Sequence, residues 1–385
     1  MQRIAVPPRQ DWQAKVEALG FLFHTAPEQP YWNEEAYYRF TSDQIQSLEQ
    51  ATNELHEMCL KAVQFVIDND RFSELGIPSQ AVPWIKQTWE SEPPSLYGRF
   101  DFAYDGSGSP KLLEYNADTP TSLLEAAVVQ WHWVQEVFPQ ADQFNSIWEG
   151  LVELWQELKR DRHLKGHVVH FGHVQTMEDL MTVTMLRDTA QEAGVATAGI
   201  HMEDIGWDAD KRWFVDSDNM RIWTIFKLYP WEWMLEEEFG TNVLESIPHT
   251  QWIEPIWKMV LSSKGILAIL WEMFPDCPYL VPAYLDGARG MADYVRKPLS
   301  GREGEDVTIY SNGSATTSSG DGGAPFVYQG LCSIPEFDGQ RPVIGSWVID
   351  GVARGIGIRE TPGPITDDMA RFVPHLIDKS TFPHL

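Results

Sequence analysis

The sequence predicts an α+β chain, that is, a mixed α/β fold. Three observations predict it: a long helical pattern over 34–72, a strand-helix-strand order between 166 and 200, and a last third of short strands and glycine turns. Over 34–72, Leu48, Leu55, Met58, Cys59, Val63, Phe65, Val66 and Ile67 recur at mixed spacings of three and four, with acids between. Thr41, Ser42 and Asp43 supply N-cap chemistry for that helix body. A hairpin follows at 97–114. A second helix is expected after Pro120, carrying Leu123, Leu124, Ala127, Val128 and Trp131, and a third over 146–160. Next, 167–171 reads as a strand, 177–193 as a helix and 195–200 as a strand, an order that implies a parallel sheet. The stretch 223–228 adds another strand. The helical pattern over 259–273 ends before Pro275, Pro278 and Pro282. Strands are then expected at 294–298, 307–310, 326–329, 343–349 and 353–360. The Ser/Thr/Gly stretch 311–323 reads as a loop, and no internal repeat is found.

Composition narrows the function. At 385 residues, with 43% hydrophobic and 22% charged positions, the chain is long enough for two or three folded domains. Its 17 tryptophans call for burial or cleft lining. Asp and Glu total 56 against 29 Lys and Arg, a net charge of −27, which argues against nucleic acid or anionic membrane as partner. The same charge favours approach by cations, polyamines among them, or simply keeps the chain soluble. Cys59, Cys277 and Cys332 form no CxxC and suggest a reducing compartment. No run approaches the ~18 apolar residues of a membrane span, so a cytoplasmic location is expected.

The hairpin carries the first chemical signal. Arg99 and Asp101 share one strand face, with Phe100, Phe102 and Tyr104 on the other, and Glu114 and Asn116 share a face of the second strand. If Tyr104 pairs with Lys111, Asp101 lies opposite Glu114 and Arg99 opposite Asn116. Facing carboxylates repel unless something positive sits between them. A hard dication with the Asn116 carbonyl as third ligand would serve, and oxygen-only ligation suits Mg²⁺. An exposed acidic hairpin with a fortuitous register is the competing reading.

The second signal lies downstream. Lys297 ends a strand, and a glycine-containing loop, Gly301 to Gly304, follows it; backbone N–H groups of such a loop can hold phosphate. No Walker A or GxGxxG motif occurs. Lys264 precedes a helical turn, and Arg359 sits on a strand that returns through Asp350 and Gly351 onto 344–349. Gly355 and Gly357 share the face of Arg359 and would leave it open to a ligand. A solvated ion pair is the plain alternative for each lone cation. His167 and His173 point opposite to His170 on their strand, so the three do not converge on a metal. The tryptophan pairs 131/133 and 231/233 read as core or helix contacts.

Together, R-x-D-(x)12-E-x-N-A-D, F-K-L-Y-P-W-E at 226–232, L-W-E-M-F-P at 270–275, K-P-L-S-G-R-E-G, I-G-S-W-V and G-I-G-I-R-E resemble the glutathionylspermidine synthetase family, nearest to stand-alone bacterial members without the amidase domain. The resemblance implies an ATP-grasp fold with a pre-ATP-grasp-like αβ domain. Its parts would be an N-terminal helical region with the metal-binding hairpin at 1–164, the αβ domain at 165–258 and a nucleotide-binding domain at 259–385. It implies an ATP-dependent acid–amine ligase. Asp101, Glu114 and Asn116 would hold Mg²⁺, with two ions allowed. Lys264, Lys297, Gly301, Arg302, Gly304, Gln329 and Leu331 would contact ATP, and Arg99 and Arg359 would steady the transferring phosphoryl group. In such chemistry a carboxylate first takes the γ-phosphoryl group, and an amine then displaces phosphate.

Substrate positions depart from the pattern. The family's two glutathione-contacting serines read here as Thr119 and Thr121, and a threonine after Lys227 reads as Leu228. Glu178 and Asp179 match the acids that would hold a polyamine, and they equally suit the first turn of a helix. Glutathione plus a polyamine is the leading substrate pair. An ATP-binding protein without ligase activity, or a ligase for another pair such as a peptide with an amino acid or diamine, stays open.

Overall fold

A computed structural model of the chain describes residues 1–25, 30–302, 304–320, 323, 325–366 and 370–378. The fold is mixed α/β, as expected. The long helix is Ser42–Asp68. Thr41 caps it, its side chain accepting from the Gln44 N–H while the Gln44 side chain accepts from the Thr41 N–H. Ile45, Leu48, Leu55, Cys59, Val63 and Val66 form its buried stripe. The expected start at 34 is wrong. Ala36–Phe40 is a strand, antiparallel to Gln2–Ala5 and parallel to His375–Ile377. Its aromatic run favours extended backbone, and the helix begins only where the cap satisfies its first N–H groups.

The αβ unit is a four-stranded sheet in the order Gln251–Ile253, Thr224–Leu228, Val168–His173, Ala196–His201, every neighbouring pair parallel. The helix Met177–Glu192 makes the crossover. His170 bonds Asp216 at 3.2 Å and His173 bonds the Val174 carbonyl at 2.7 Å, so both have ordinary partners.

The expected helix over 259–273 is interrupted. Met259–Ser262 and Ile266–Met273 are separate helices. Ser263 donates its hydroxyl to the Leu75 carbonyl and accepts from the Gly265 N–H; this local side-chain bonding competes with the helix ladder. The break brings Lys264 round to the hairpin.

Besides a small antiparallel pair, Gly206–Asp208 with Trp213–Val215, two five-stranded antiparallel sheets complete the fold. One runs Ala283–Tyr284, Phe326–Gly330, Tyr294–Pro298, Thr308–Ser311, Ser314–Thr317. Its last strand corrects the loop expected over 311–323, of which 321 and 322 lie outside the described residues. Asn312 and Gly313, both at positive φ, make the two-residue turn. The other sheet runs Arg371–Val373, Val352–Thr361, Arg341–Ile349, Tyr97–Ala103, Lys111–Asn116. It joins the hairpin to the Arg359 strand through a central strand, and Asp350 and Gly351 make the expected turn, both at positive φ.

Trp32, Trp133, Trp155, Trp231 and Trp347 are fully buried. Trp131 and Trp233 are exposed, so each tryptophan pair splits between core and surface because neighbours on one turn face apart. The three cysteines are free. No helix among the described residues is long and apolar enough to cross a membrane.

Candidate active site

The hairpin register places Asp101 opposite Glu114 and Arg99 opposite Asn116, as expected. The turn-side anchor differs: Ala103, not Tyr104, pairs with Lys111, because the ladder shifts between Asp101 and Phe102 and leaves Leu113 as the extra residue. The Leu113 carbonyl is thereby available to Lys297, whose Nζ donates to it at 2.9 Å and to Gln329 Oε1 at 2.9 Å. Gln329 in turn donates to the Leu112 carbonyl. A bulge in one strand thus seats a lysine from another sheet.

The facing carboxylates are each held by their own cations. Asp101 accepts from Arg99 Nε at 2.7 Å and Nη2 at 3.1 Å, and from Arg359 Nη2 at 2.9 Å. Glu114 lies 3.0 Å from Lys264 Nζ and accepts from the Asn116 amide nitrogen at 3.2 Å. Burial pushes the Glu114 carboxyl up, but Lys264 and Lys297 outweigh it and hold it well below the usual range. Burial drives Lys297 down to about 8, against the pull of Glu114. Among the described residues no group of three or more His, Cys, Asp or Glu gathers to hold a metal. The available donors are two carboxylates and one amide oxygen on a single sheet face. That hard-oxygen set fits Mg²⁺, which takes few protein ligands and completes its shell with water and phosphate.

All the site residues expected from the sequence line one cleft. Its space, counting the open mouth and the solvent in it, is about 1620 Å³. Lys264 Nζ donates to the Gly301 carbonyl at 2.9 Å. Gly304 holds a positive φ, and a Cβ there would meet the Thr366 carbonyl at 2.7 Å; Glu303 lies outside the described residues. Leu331 lines the cleft while its N–H donates to the Asp293 carbonyl. Arg302 reaches across to the Thr119 hydroxyl. The Thr121 carbonyl accepts from Arg99. Glu178 and Asp179 sit in the first turn of a helix capped by Thr176 and also line the cleft.

One expectation is overturned. Gly355 and Gly357 do not open the Arg359 face to a ligand. A Cβ on Gly355 would meet Ile147 at 2.9 Å, and one on Gly357 would meet the Phe372 ring at 2.9 Å. Neighbouring elements fill those spaces. The glycine that matters to the site is Gly345, opposite Asp101, where a Cβ would stand 2.7 Å from Arg99 Cδ. It lies within I-G-S-W-V, so its motif was visible, but its purpose needed the register.

Other residues were missed. Asp118, which is buried, pairs with the fully buried Lys227 at 2.6 Å and accepts from the Trp231 N–H. Glu232 lines the cleft beside them, pushed up by burial and by the charge of Asp118. Glu125 is buried on a π-helical turn, Glu125–Val129, with Oε1 lacking a partner, and burial raises it to about 7. Lys227 and Glu232 stand in the F-K-L-Y-P-W-E run. For Glu125 the sequence offers no signal.

The chain matches, over residues 3–378, the family model described as glutathionylspermidine synthase preATP-grasp. A protein of Haemophilus influenzae provisionally named an acid–amine ligase is 38% identical over 392 residues, covering 97% of this chain and 99% of that protein. Trypanothione synthetase of Crithidia fasciculata is 28% identical over 81% of this chain and 52% of its own length. The bifunctional glutathionylspermidine synthetase/amidase of Escherichia coli is 27% identical over 90% of this chain and 59% of its own length. The chain therefore spans little more than half of those two longer relatives. With a family match over nearly its whole length, and a relative of its own size, the chain belongs to the glutathionylspermidine synthase preATP-grasp family.

Proposed function

We propose that the chain is an ATP- and Mg²⁺-dependent, cytoplasmic ligase that joins a carboxylic acid to an amine through an acyl phosphate, with glutathione and a polyamine as its pair. The observation that carries this reading is the facing pair Asp101 and Glu114, ringed by Arg99, Arg359, Lys264 and Lys297 in one cleft. Asp101, Glu114 and Asn116 are the residues that would hold the metal, which when bound supplies positive charge against phosphate oxygens. Arg99 and Arg359 bring two guanidinium groups to the same carboxylate, where charge on a transferring phosphoryl group can be met by fixed donors. Lys264 and Lys297 place two ammonium groups at the other end of the hairpin face. The acid's oxygen bonds to the γ-phosphorus as ADP leaves. The amine nitrogen then bonds to the acyl carbon as phosphate leaves and the amine gives up a proton. The division into 1–164, 165–258 and 259–385 belongs to the same reading and is supported by the parallel sheet confined to 168–253.

A different acid–amine pair is favoured by one observation. Leu228 packs in the apolar core and brings no hydroxyl to the acid, so a peptide acid would lose a hydrogen bond there. The test is ADP release with Mg-ATP, with and without glutathione plus spermidine, using Glu114→Ala as control. Release that requires both and vanishes in the variant supports the named pair. Release without them, still lost in the variant, leaves a working ligase site for other substrates. No release, with no ATP binding, overturns the enzyme reading.

A further inference from the structure

Two aromatic rings of the αβ unit, outside the cleft lining itself, border it beside the cleft residues Glu232 and Arg302. Trp233 is 45% exposed, unusual for so large an apolar side chain. Tyr229 meets it edge-on, centroids 5.5 Å apart at 74°, and is held there by donating its hydroxyl to Glu237. The guanidinium of Arg302 lies over the Trp233 ring, 5.1 Å from its centroid, within the range of a cation–π contact. One face of this rim is therefore already used to seat a cation.

The surroundings suit a positive ligand. Asp118 is neutralised by Lys227. Glu232 and Glu178 both line the cleft, and among the described residues neither forms an ion pair. Glu237 borders the aromatic pair through Tyr229, and Glu203 lies close enough for its charge to act on that tyrosine. Arg302, the cation now serving this group, belongs to the loop expected at the nucleotide.

Resting on the reading of the cleft as an amine ligase, we infer that the face of Trp233, bordered by Glu232 and Glu237, is a cation platform: Arg302 occupies it in this structure, and the second ammonium of a diamine or longer polyamine substrate takes it in turn. The amine so bound carries its first ammonium towards Glu178 and releases Arg302 towards the phosphate end. A monoamine cannot make the exchange. Trp233 is thus a specificity-determining residue for amines with two or more charges.

The test is calorimetric titration of spermidine, 1,4-diaminobutane and n-butylamine into the full chain without nucleotide. Trp233→Ala is expected to weaken spermidine and 1,4-diaminobutane by about tenfold, the scale of one partly desolvated cation–π contact, and to leave n-butylamine unchanged. Arg302→Ala is expected to tighten spermidine, because it removes the competitor; a general loss of structure would weaken it. Thermal melts show whether each variant is folded, and Trp233→Phe should retain part of the affinity. Wild-type spermidine affinity in Trp233→Ala, equal loss for n-butylamine, weaker spermidine binding in Arg302→Ala, or no spermidine binding by the wild type would each overturn the platform. ADP release, measured separately against Glu114→Ala, reports on the ligase reading, so the two failures are distinguishable.

Discussion

Replacing Lys297 by methionine should change how stability depends on pH, and the size of the change follows from the site. The Lys297 ammonium is buried between the Leu113 carbonyl and Gln329. Burial lowers it from 10.5 to about 8 even with Glu114 nearby. Between those two values the unfolded chain holds the proton that the folded chain has lost, so wild-type stability rises with pH through that window. Integrated from pH 7 to pH 10, the gain is roughly 2–3 kcal/mol. Lys297→Met has no such group, and at pH 7 it also escapes the cost of a buried charge, offset by two acceptors that lose their donor at about 1 kcal/mol each. The assay is urea unfolding of both proteins at steps from pH 7 to pH 10. The wild type should gain on the variant by that amount as pH rises, since other titrating groups cancel in the difference. Binding of a non-hydrolysable ATP analogue should run the other way. Wild-type affinity falls above pH 8 as the ammonium discharges, while the variant binds weakly at every pH. Parallel stability curves, or a wild-type affinity flat from pH 7 to pH 9.5, would refute the placement of a charged Lys297 at the phosphate end.

Two further predictions test neighbouring features. Glu125, raised to about 7 by burial, contributes stability that is full below 4.5 and is lost as pH rises through 7. Glu125→Gln should therefore gain on the wild type by roughly 2.5 kcal/mol between pH 5 and pH 8, and an unchanged difference in urea midpoints would contradict its burial. Gly345→Ala and Gly357→Ala should separate activity from stability. The first crowds the buried Arg99 side chain out of its bonds to Asp101 and the Thr121 carbonyl, so it should lower turnover per folded molecule as well as stability. The second crowds the Phe372 ring and should cost ~1–3 kcal/mol of stability while leaving turnover per folded molecule near wild type.

Much of this site was legible because a strand's two faces alternate along its regular stretches. Once 97–104 and 111–116 are read as a hairpin, the positions of Arg99, Asp101, Glu114 and Asn116 follow. The bulge at Leu113 was hidden, since an extra residue in one strand leaves no compositional mark, and with it went the seat of Lys297. The break at Ser263 was hidden too: serine is tolerated in helices, and only the Leu75 carbonyl makes it a stop. The strand Ala36–Phe40 was lost because its apolar residues ran on into the spacing of the following helix. The turn at Asn312 and Gly313 did carry its usual signal, submerged in a Ser/Thr/Gly stretch. Two glycines were misread and a third went unread. Gly355 and Gly357 make room for packing, Gly345 makes room for Arg99, and only the pairing of Arg341–Ile349 with Tyr97–Ala103 distinguishes them. Glu125 lies beyond sequence reasoning, because an acid in a helix is normally solvated until the tertiary structure covers it, whereas Glu232 was marked only by its place in the F-K-L-Y-P-W-E run.

The central strand of the hairpin sheet also sets the order in which the protein can be made. Tyr97–Ala103 has Lys111–Asn116 on one edge, but its other edge waits for Arg341–Ile349, whose Gly345 follows Asp101 by about 240 residues of chain. At ~5–20 residues per second, that edge stands open on the ribosome for ~10–50 s. Asp101 and Arg99 meet during that interval with neither Arg359 nor the space above Gly345 in place. The Asp101 end of the cleft is therefore among the last parts to be assembled, and a nascent chain paused before position 341 would present an open strand edge to whatever chaperone or neighbouring chain can pair with it.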